Sequence, residues 1–237
     1  MRKFYTNQNL DNDKIILEED YNHIVNVLRK KEGETIVLFN NNGYNYIFKI
    51  SKINKKNIEL KKLEKIENFK ENNSKITVFQ SNIKNDNLDL IIQKLTELNV
   101  DNLTLFNSEY TNIKLKEIKA DKINRVSLEA CKQCERSKSL NISFVGDFNN
   151  LLEKLVNFDI VIFAYEKSKK VLKEVFKTKN IKKNVAIIVG PEGGFSESEK
   201  EKLIKLPNVY EVSISKNILR AETASIMLAS ILMYELN

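Results

Sequence analysis

The sequence predicts an α/β fold: a large C-terminal domain built on a parallel sheet covered by helices, preceded by a small N-terminal β-barrel. Three observations predict it. From about residue 73 onward, short apolar runs alternate with segments of helical periodicity, as in β-α units whose strands are buried on both faces. Earlier in the chain, the β-rich runs 35–40 and 44–50 are joined through Asn42-Gly43, the strongest short hairpin signal. Between the two regions, residues 64–74 are lysine-rich and poor in apolar side chains and read as a linker, which sets the domains at 1–72 and 73–237.

In the N-terminal domain, residues 18–31 read as a helix with Tyr21, Ile24, Val25 and Leu28 on one face, ended by Gly33. The runs 35–40, 44–50 and 57–63 supply short strands for the barrel. In the C-terminal domain the first strand is 75–81. The helix 86–98 follows, with Leu88, Ile91, Ile92, Leu95 and Leu98 on one face. A strand at 100–106 precedes a long helical pattern over 116–135. Then come strand 142–145, helix 148–156, strand 159–165 and a lysine-rich helix to about Phe176. The apolar run 185–189 is a strand, and Ser196 and Glu199 have the capping-box spacing of a helix that stops before Pro207. Strand 209–214 and a last helix to the C-terminus complete the pattern.

The chain has 237 residues, enough for one large domain or two small ones with a real core. Lys+Arg of 39 against Asp+Glu of 32 gives +7, a modest excess that favours a polyanionic partner. Richness in Asn, Lys and Ile from genomic base composition would give the same charge without function. Met1-Arg2-Lys3-Phe4 is basic but has no apolar stretch after it, so it is not read as a signal peptide. No run approaches the ~18 apolar residues of a membrane span. The expectation is a cytoplasmic protein without membrane contact. Cys131 and Cys134 form a lone C-x-x-C, and the single histidine is the distant His23. They read as two reduced thiols one helical turn apart, and no metal site is expected.

Two stretches near the end stand out. After the apolar run 185–189 comes Gly190-Pro191-Glu192-Gly193-Gly194-Phe195, three glycines and a proline in five positions. A backbone of this kind turns sharply and presents bare N–H groups at the C-terminal edge of a sheet, where open α/β sheets bind ligands. It is neither a dinucleotide nor a nucleotide-triphosphate loop, and on its own it is equally well a tight strand-to-helix turn. The second stretch is Ile218-Leu219-Arg220-Ala221-Glu222-Thr223-Ala224, which opens the last helix.

Together these motifs resemble the small-subunit ribosomal RNA uridine-N3 methyltransferases, the RsmE family of the SPOUT class. Two further patterns agree with it. Asn85-Asp86-x-Leu88-Asp89-x-Ile91-Ile92-Gln93-Lys94-x-x-Glu97-Leu98 and Glu129-Ala130-x-x-Gln133-Cys134-x-Arg136 follow its middle helices. His23-Ile24-x-x-Val27-Leu28-Arg29, Gly33 and the Asn-Gly hairpin follow its N-terminal PUA-like barrel. There are departures: Asn99 stands for a usual glycine, Leu140 for a usual proline, and Ser215 for a usual glycine. The last of these leaves open the backbone path beside the cofactor.

The resemblance implies a deep trefoil knot in the C-terminal domain, an exception to the general rule on chain threading. It also implies a homodimer with the active site against the partner, and 16S ribosomal RNA or the small subunit as substrate. The implied cofactor is S-adenosylmethionine. Ala164, Val189, Ile214, Ile218 and Leu219 match the positions of its apolar slot; Gly190, Gly193 and Gly194 those of close backbone approach. Glu192, Ser215 and Thr223 complete the cofactor set, although a helix cap also accounts for Thr223. Arg220 and Glu222 are the catalytic candidates, although a carboxylate meeting the dipole at a helix N-terminus also accounts for Glu222. Arg220 suits the negative charge that develops on uracil when N3 loses its proton. Either Glu222 or Glu192 orients Arg220 or receives that proton. Arg2, Arg29 and Arg136 match RNA contacts, each equally readable as a surface arginine; His23 reads as a partly buried structural histidine. Two alternatives remain: a SPOUT enzyme acting on transfer RNA, and a non-catalytic RNA-binding ribosome-assembly factor.

Overall fold

Six short strands pair into one parallel sheet, and the central four are apolar runs because they are buried on both faces. The computed structural model describes residues 2–68, 72–111, 119–178 and 184–236. Residues 69–71 of the predicted linker and 116–118 of the predicted long helix lie outside the described residues.

The chain divides into two compact units. The larger comprises Glu71–Ser127 and Leu140–Asn237; the smaller comprises Met1–Lys70 and Leu128–Ser139. The smaller unit holds β1 (Lys3–Tyr5), β2 (Lys14–Leu17), β3 (Thr35–Phe39), β4 (Tyr44–Ile53) and β5 (Ile58–Glu67). They form a five-stranded sheet in the order β1-β3-β4-β5-β2. β1 pairs parallel to β3, and the other neighbours are antiparallel. Phe4, Leu17, Leu38, Tyr46, Phe48 and Ile50 fill its core.

The larger unit contains β6 (Lys75–Ser81), α1 (Asn85–Glu97), β7 (Asn102–Phe106), α2 (Ala120–Cys134) and β8 (Asn141–Gly146), the last turns of α2 excepted. After them come α3 (Phe148–Leu155), β9 (Ile160–Ala164), α4 (Leu172–Thr178), β10 (Asn184–Val189), α5 (Glu197–Ile204), β11 (Val209–Val212) and α6 (Ala221–Leu236). The strand order is β11-β9-β10-β6-β7-β8, with every pairing parallel. Val185, Ile187 and Val189 face a core shared with α1 and α6, while Ala186 and Ile188 face one shared with α3 and α5. Period-two burial on both faces turns a strand into a continuous apolar run.

The structure departs from the sequence reading in four places. The predicted helix over 18–31 shrinks to a short π-type segment, His23–Val27, in which Leu28 N–H donates to His23 O at 2.9 Å. Asp20 and Arg29 take left-handed φ values of 55° and 54°, which interrupts helical geometry on both sides of the segment. Strands β1 and β2 carry too short an alternation to be read from sequence. β5 runs on to Glu67, into the stretch read as linker, held by its ladder to β4.

The fourth correction concerns Leu128–Ser139, which belongs with the N-terminal sheet rather than with the parallel one. Gly43 N–H donates to Ser137 O at 3.3 Å, Asn68 Nδ2 to Glu135 O at 2.8 Å, and Lys132 Nζ lies 3.4 Å from Asp20 Oδ2. The departures at Asn99 and Leu140 are accommodated. Asn99 takes φ 60° after α1, the conformation glycine would supply. Leu140 N–H donates to Ser127 Oγ at 3.0 Å, a bond that proline would lack.

Candidate active site

The glycine turn is shaped around one aromatic side chain. Phe195 stacks with Phe106 and meets Phe163 edge-on at a centroid distance of 5.2 Å. A Cβ built on Gly190 would lie 2.8 Å from the Phe195 ring, so only glycine fits where β10 ends. Gly194 N–H closes the turn on Pro191 O at 2.9 Å, and Gly194 itself has φ 74°. Ser196 and Glu199 make the predicted capping box at the start of α5. Glu199 does more than cap: its second oxygen accepts the Glu109 N–H at 2.8 Å, which ties the segment after β7 to the glycine turn.

The second motif follows β11. Ser213 Oγ donates to Ser215 O at 3.0 Å and Asn217 N–H to Ser215 Oγ at 3.0 Å, so Ser215 bends the chain by its own hydrogen bonds. α6 then begins at Ala221. The Arg220 side chain is 85% exposed and that of Glu222 only 9% exposed, with Nη1 and Oε1 4.0 Å apart. Glu222 Oε2 is buried without a hydrogen-bond partner among the described residues. An unpartnered buried carboxylate oxygen is costly and marks a place where a donor is expected.

The two stretches meet in one crevice of about 620 Å³. Ala164, Val189, Ile214, Ile218 and Leu219 supply apolar wall; Gly190, Glu192, Gly194 and Ser215 supply turn backbone; Arg220 and Glu222 stand at the start of α6. Two cofactor candidates are not brought in. Thr223 is exposed and Gly193 is exposed, and neither lines the crevice. Thr223 follows Glu222 on a helix that turns it outward. Gly193 instead lies against Tyr110, whose Cβ would be 3.0 Å from a Cβ on the glycine.

Sequence reasoning missed Lys84 and Asn87, which line the same crevice at the start of α1. Their signal was the motif beginning at Asn85, which is adjacent to Lys84 and includes Asn87. It also missed Gln80, a fully buried amide in an apolar strand.

The RNA candidates fall in the smaller unit. Arg2 Nη1 donates to His23 Nε2 at 2.9 Å, which leaves the histidine proton on Nδ1. Arg29 is exposed at its left-handed turn. Arg136 is corrected: it is only 8% exposed, and a buried guanidinium offers no surface to a phosphate chain. Cys131 is buried and its thiol is pushed up to about 12 by that burial, so it stays protonated at neutral pH.

The sequence model of the RNA methyltransferase domain matches residues 70–233, more than two thirds of the chain. The model of the RNA methyltransferase PUA domain matches residues 16–63. The ribosomal RNA small subunit methyltransferase E of Buchnera aphidicola subsp. Acyrthosiphon pisum is 31% identical over 95% of this chain and 90% of its own. The chain belongs to the ribosomal RNA small subunit methyltransferase E family. The methyltransferase E of Bacillus subtilis is 29% identical over 93% of this chain and 89% of its own. Among solved structures, methyltransferase E from Neisseria gonorrhoeae, bound to S-adenosyl methionine, has the same fold. It matches with a TM-score of 0.84 at 24% identity, covering 99% of this chain and 98% of that one. Membership of the methyltransferase E family makes this chain an RNA methyltransferase, with its two C-terminal motifs joined at one crevice.

Proposed function

We propose that the protein transfers a methyl group from S-adenosylmethionine to N3 of one uridine in 16S ribosomal RNA of the small subunit. The observation that carries this reading is the crevice itself: an open guanidinium, Arg220, beside a buried carboxylate with an oxygen lacking a partner among the described residues. Relatives of this chain are named for small-subunit ribosomal RNA, which supports the substrate class.

The residues present fit the cofactor. A cavity of about 620 Å³ is the size of a small-molecule site. Its apolar wall from Ala164, Val189, Ile214 and Leu219 suits an adenine ring, and the turn at Gly190 brings bare backbone to the same place. When bound, S-adenosylmethionine supplies a methyl carbon activated by its sulfonium.

The chain's own residues do the rest. The uridine N3–H is protonated at neutral pH, so the attacking nitrogen must lose its proton. The resulting negative charge spreads over the two neighbouring carbonyl oxygens, where the Arg220 guanidinium stabilises it. Glu222 Oε2 accepts the proton. Of the two carboxylates considered, Glu222 lies beside Arg220, whereas Glu192 is exposed and takes the Lys84 N–H at 3.4 Å. Because N3 lies on the pairing edge, the base must be unpaired or flipped. Arg2 and Arg29 in the N-terminal PUA-like domain, about 1–72 joined by Leu128–Ser139, contact RNA phosphates, and the methyltransferase domain occupies the rest of about 73–237.

The protein acts as a cytoplasmic homodimer with a knotted C-terminal domain. The support for the dimer is one face of α6 where Met227 and Tyr234 are 37% and 87% exposed, with the half-buried Ile231 between them.

The test is to map methylated uridines in ribosomal RNA from cells with and without the protein. One N3-methyluridine in the small-subunit RNA is expected to vanish with the protein. Its persistence, or loss of a methyl from a ribose oxygen or a transfer RNA instead, overturns the reading.

A further inference from the structure

Gln80 is a polar residue in the apolar strand β6, and it is fully buried. Strand alternation places it on the face of Ile76 and Val78, the side of the sheet covered by α1 and α6. A buried amide destabilises the fold unless its donors and acceptor are met. Its Nε2 donates to Ser81 O at 2.8 Å and to Gly190 O at 3.2 Å, the first residue of the glycine turn. Its Oε1 accepts from Ser225 Oγ. Ser225 is itself fully buried and lies on α6, one helical turn after Glu222. One side chain therefore joins the turn and the helix that both line the crevice, without lining the crevice itself.

We propose that Gln80 is a positioning residue for methyl transfer: its amide holds the Gly190 carbonyl at one end and the Ser225 hydroxyl at the other, fixing the donor turn against the helix that carries Arg220 and Glu222. This rests on the reading of the crevice as the donor site. A leucine in its place fills the space but holds neither group. The turn is then free to shift against α6, and a displacement of ~1 Å in a reacting geometry costs ~100-fold in rate. The arrangement also explains why the glutamine interrupts the strand: a hydrophobic residue would pack equally well but could not bridge a carbonyl and a hydroxyl.

The experiment uses the full chain with Gln80→Leu, Ser225→Ala and the double variant. Thermal unfolding, calorimetric binding of S-adenosylmethionine and single-site methylation of small-subunit RNA are measured on each. Gln80→Leu is expected to lower kcat by ~10-fold or more at saturating donor and RNA, with KM for RNA within ~twofold of wild type. Ser225→Ala gives a smaller loss, and the double variant falls no further than Gln80→Leu, because both changes release the same clamp. A lower unfolding temperature with wild-type kcat would assign Gln80 to stability alone and overturn the proposal, as would fully additive losses. If Gln80→Leu does not fold, Ser225→Ala decides, and an unchanged kcat there overturns the proposal. A wild-type protein that binds no S-adenosylmethionine overturns the donor-site reading first and separately.

Discussion

Arg220 Nη1 lies 4.0 Å from Glu222 Oε1, too far for a hydrogen bond, with the arginine in solvent and the glutamate buried. The cation is therefore not consumed by its neighbour. It remains free to meet a negative charge that arises elsewhere in the crevice, which is the property a transition-state contact needs.

Replacing Arg220 by alanine is expected to lower methylation by ~100-fold or more, the scale of losing one oriented electrostatic contact. Binding of S-adenosylmethionine should change by less than ~threefold, since the residue acts on the uracil. Turnover and calorimetry on the same preparation check this; equal losses in both would remove Arg220 from the chemical step. Arg220→Lys should rescue poorly, because an ammonium is a compact, strongly hydrated point charge and lacks the planar donor fork of a guanidinium.

The two carboxylates separate cleanly. Glu222→Gln keeps size and removes the proton acceptor, so turnover should fall by ~100-fold, in the range of general-base losses. Glu192→Gln, on an exposed carboxylate, should stay within ~twofold of wild type. Steady-state rates at fixed pH decide, and the reverse order would move the base to Glu192.

Gly190→Ala puts a Cβ 2.8 Å from a Phe195 ring that is packed among Phe106, Phe148 and Phe163 and so cannot yield. The expected cost is about 1–3 kcal/mol of overpacking, read from urea unfolding. Gly194→Ala meets no neighbour but must adopt φ 74°, at a cost of about 1–2 kcal/mol. Asparagine, which tolerates that region, should recover part of the loss at 194 and none at 190.

The Cys131 thiol, pushed up to about 12 by burial, should resist iodoacetamide at pH 8 in the native protein and react once it is unfolded. The sign follows from the shift: a raised value keeps the thiol neutral across the working range, and the thiolate is the nucleophile. Peptide mass spectrometry after alkylation reads it directly. Fast native labelling at residue 131 would contradict the buried placement.

The glycine turn and the capping box at Ser196 and Glu199 were legible in the sequence because they are local: each is a run of a few residues whose backbone demands are written in residue type. The strands around Ile162 and Ile187 were legible because burial on two faces leaves an unbroken apolar run. The helix expected over 18–31 was not, since its periodicity is real but Asp20 and Arg29 leave helical space at its ends. The placement of Leu128–Ser139 with the N-terminal sheet was invisible for another reason: its bonds run to Asp20, Asn41 and Gly43, far away in the chain. Gln80 shares that fate. A glutamine in β6 looks like a flaw until Gly190 and Ser225 are seen on either side of it.

The parallel sheet has a consequence for synthesis. β10 inserts between β9 and β6, so the earliest-made strand of the unit gains that neighbour only after most of the chain has emerged. Until then, Ile76 and Val78 have no strand on that flank and no α6 above them. Long-range pairing of this kind is slow and leaves nascent chains vulnerable to aggregation. A ribosome that stalls late in this message would release a sticky fragment with no catalytic pocket, so quality control should weigh more heavily on this unit than on the N-terminal sheet.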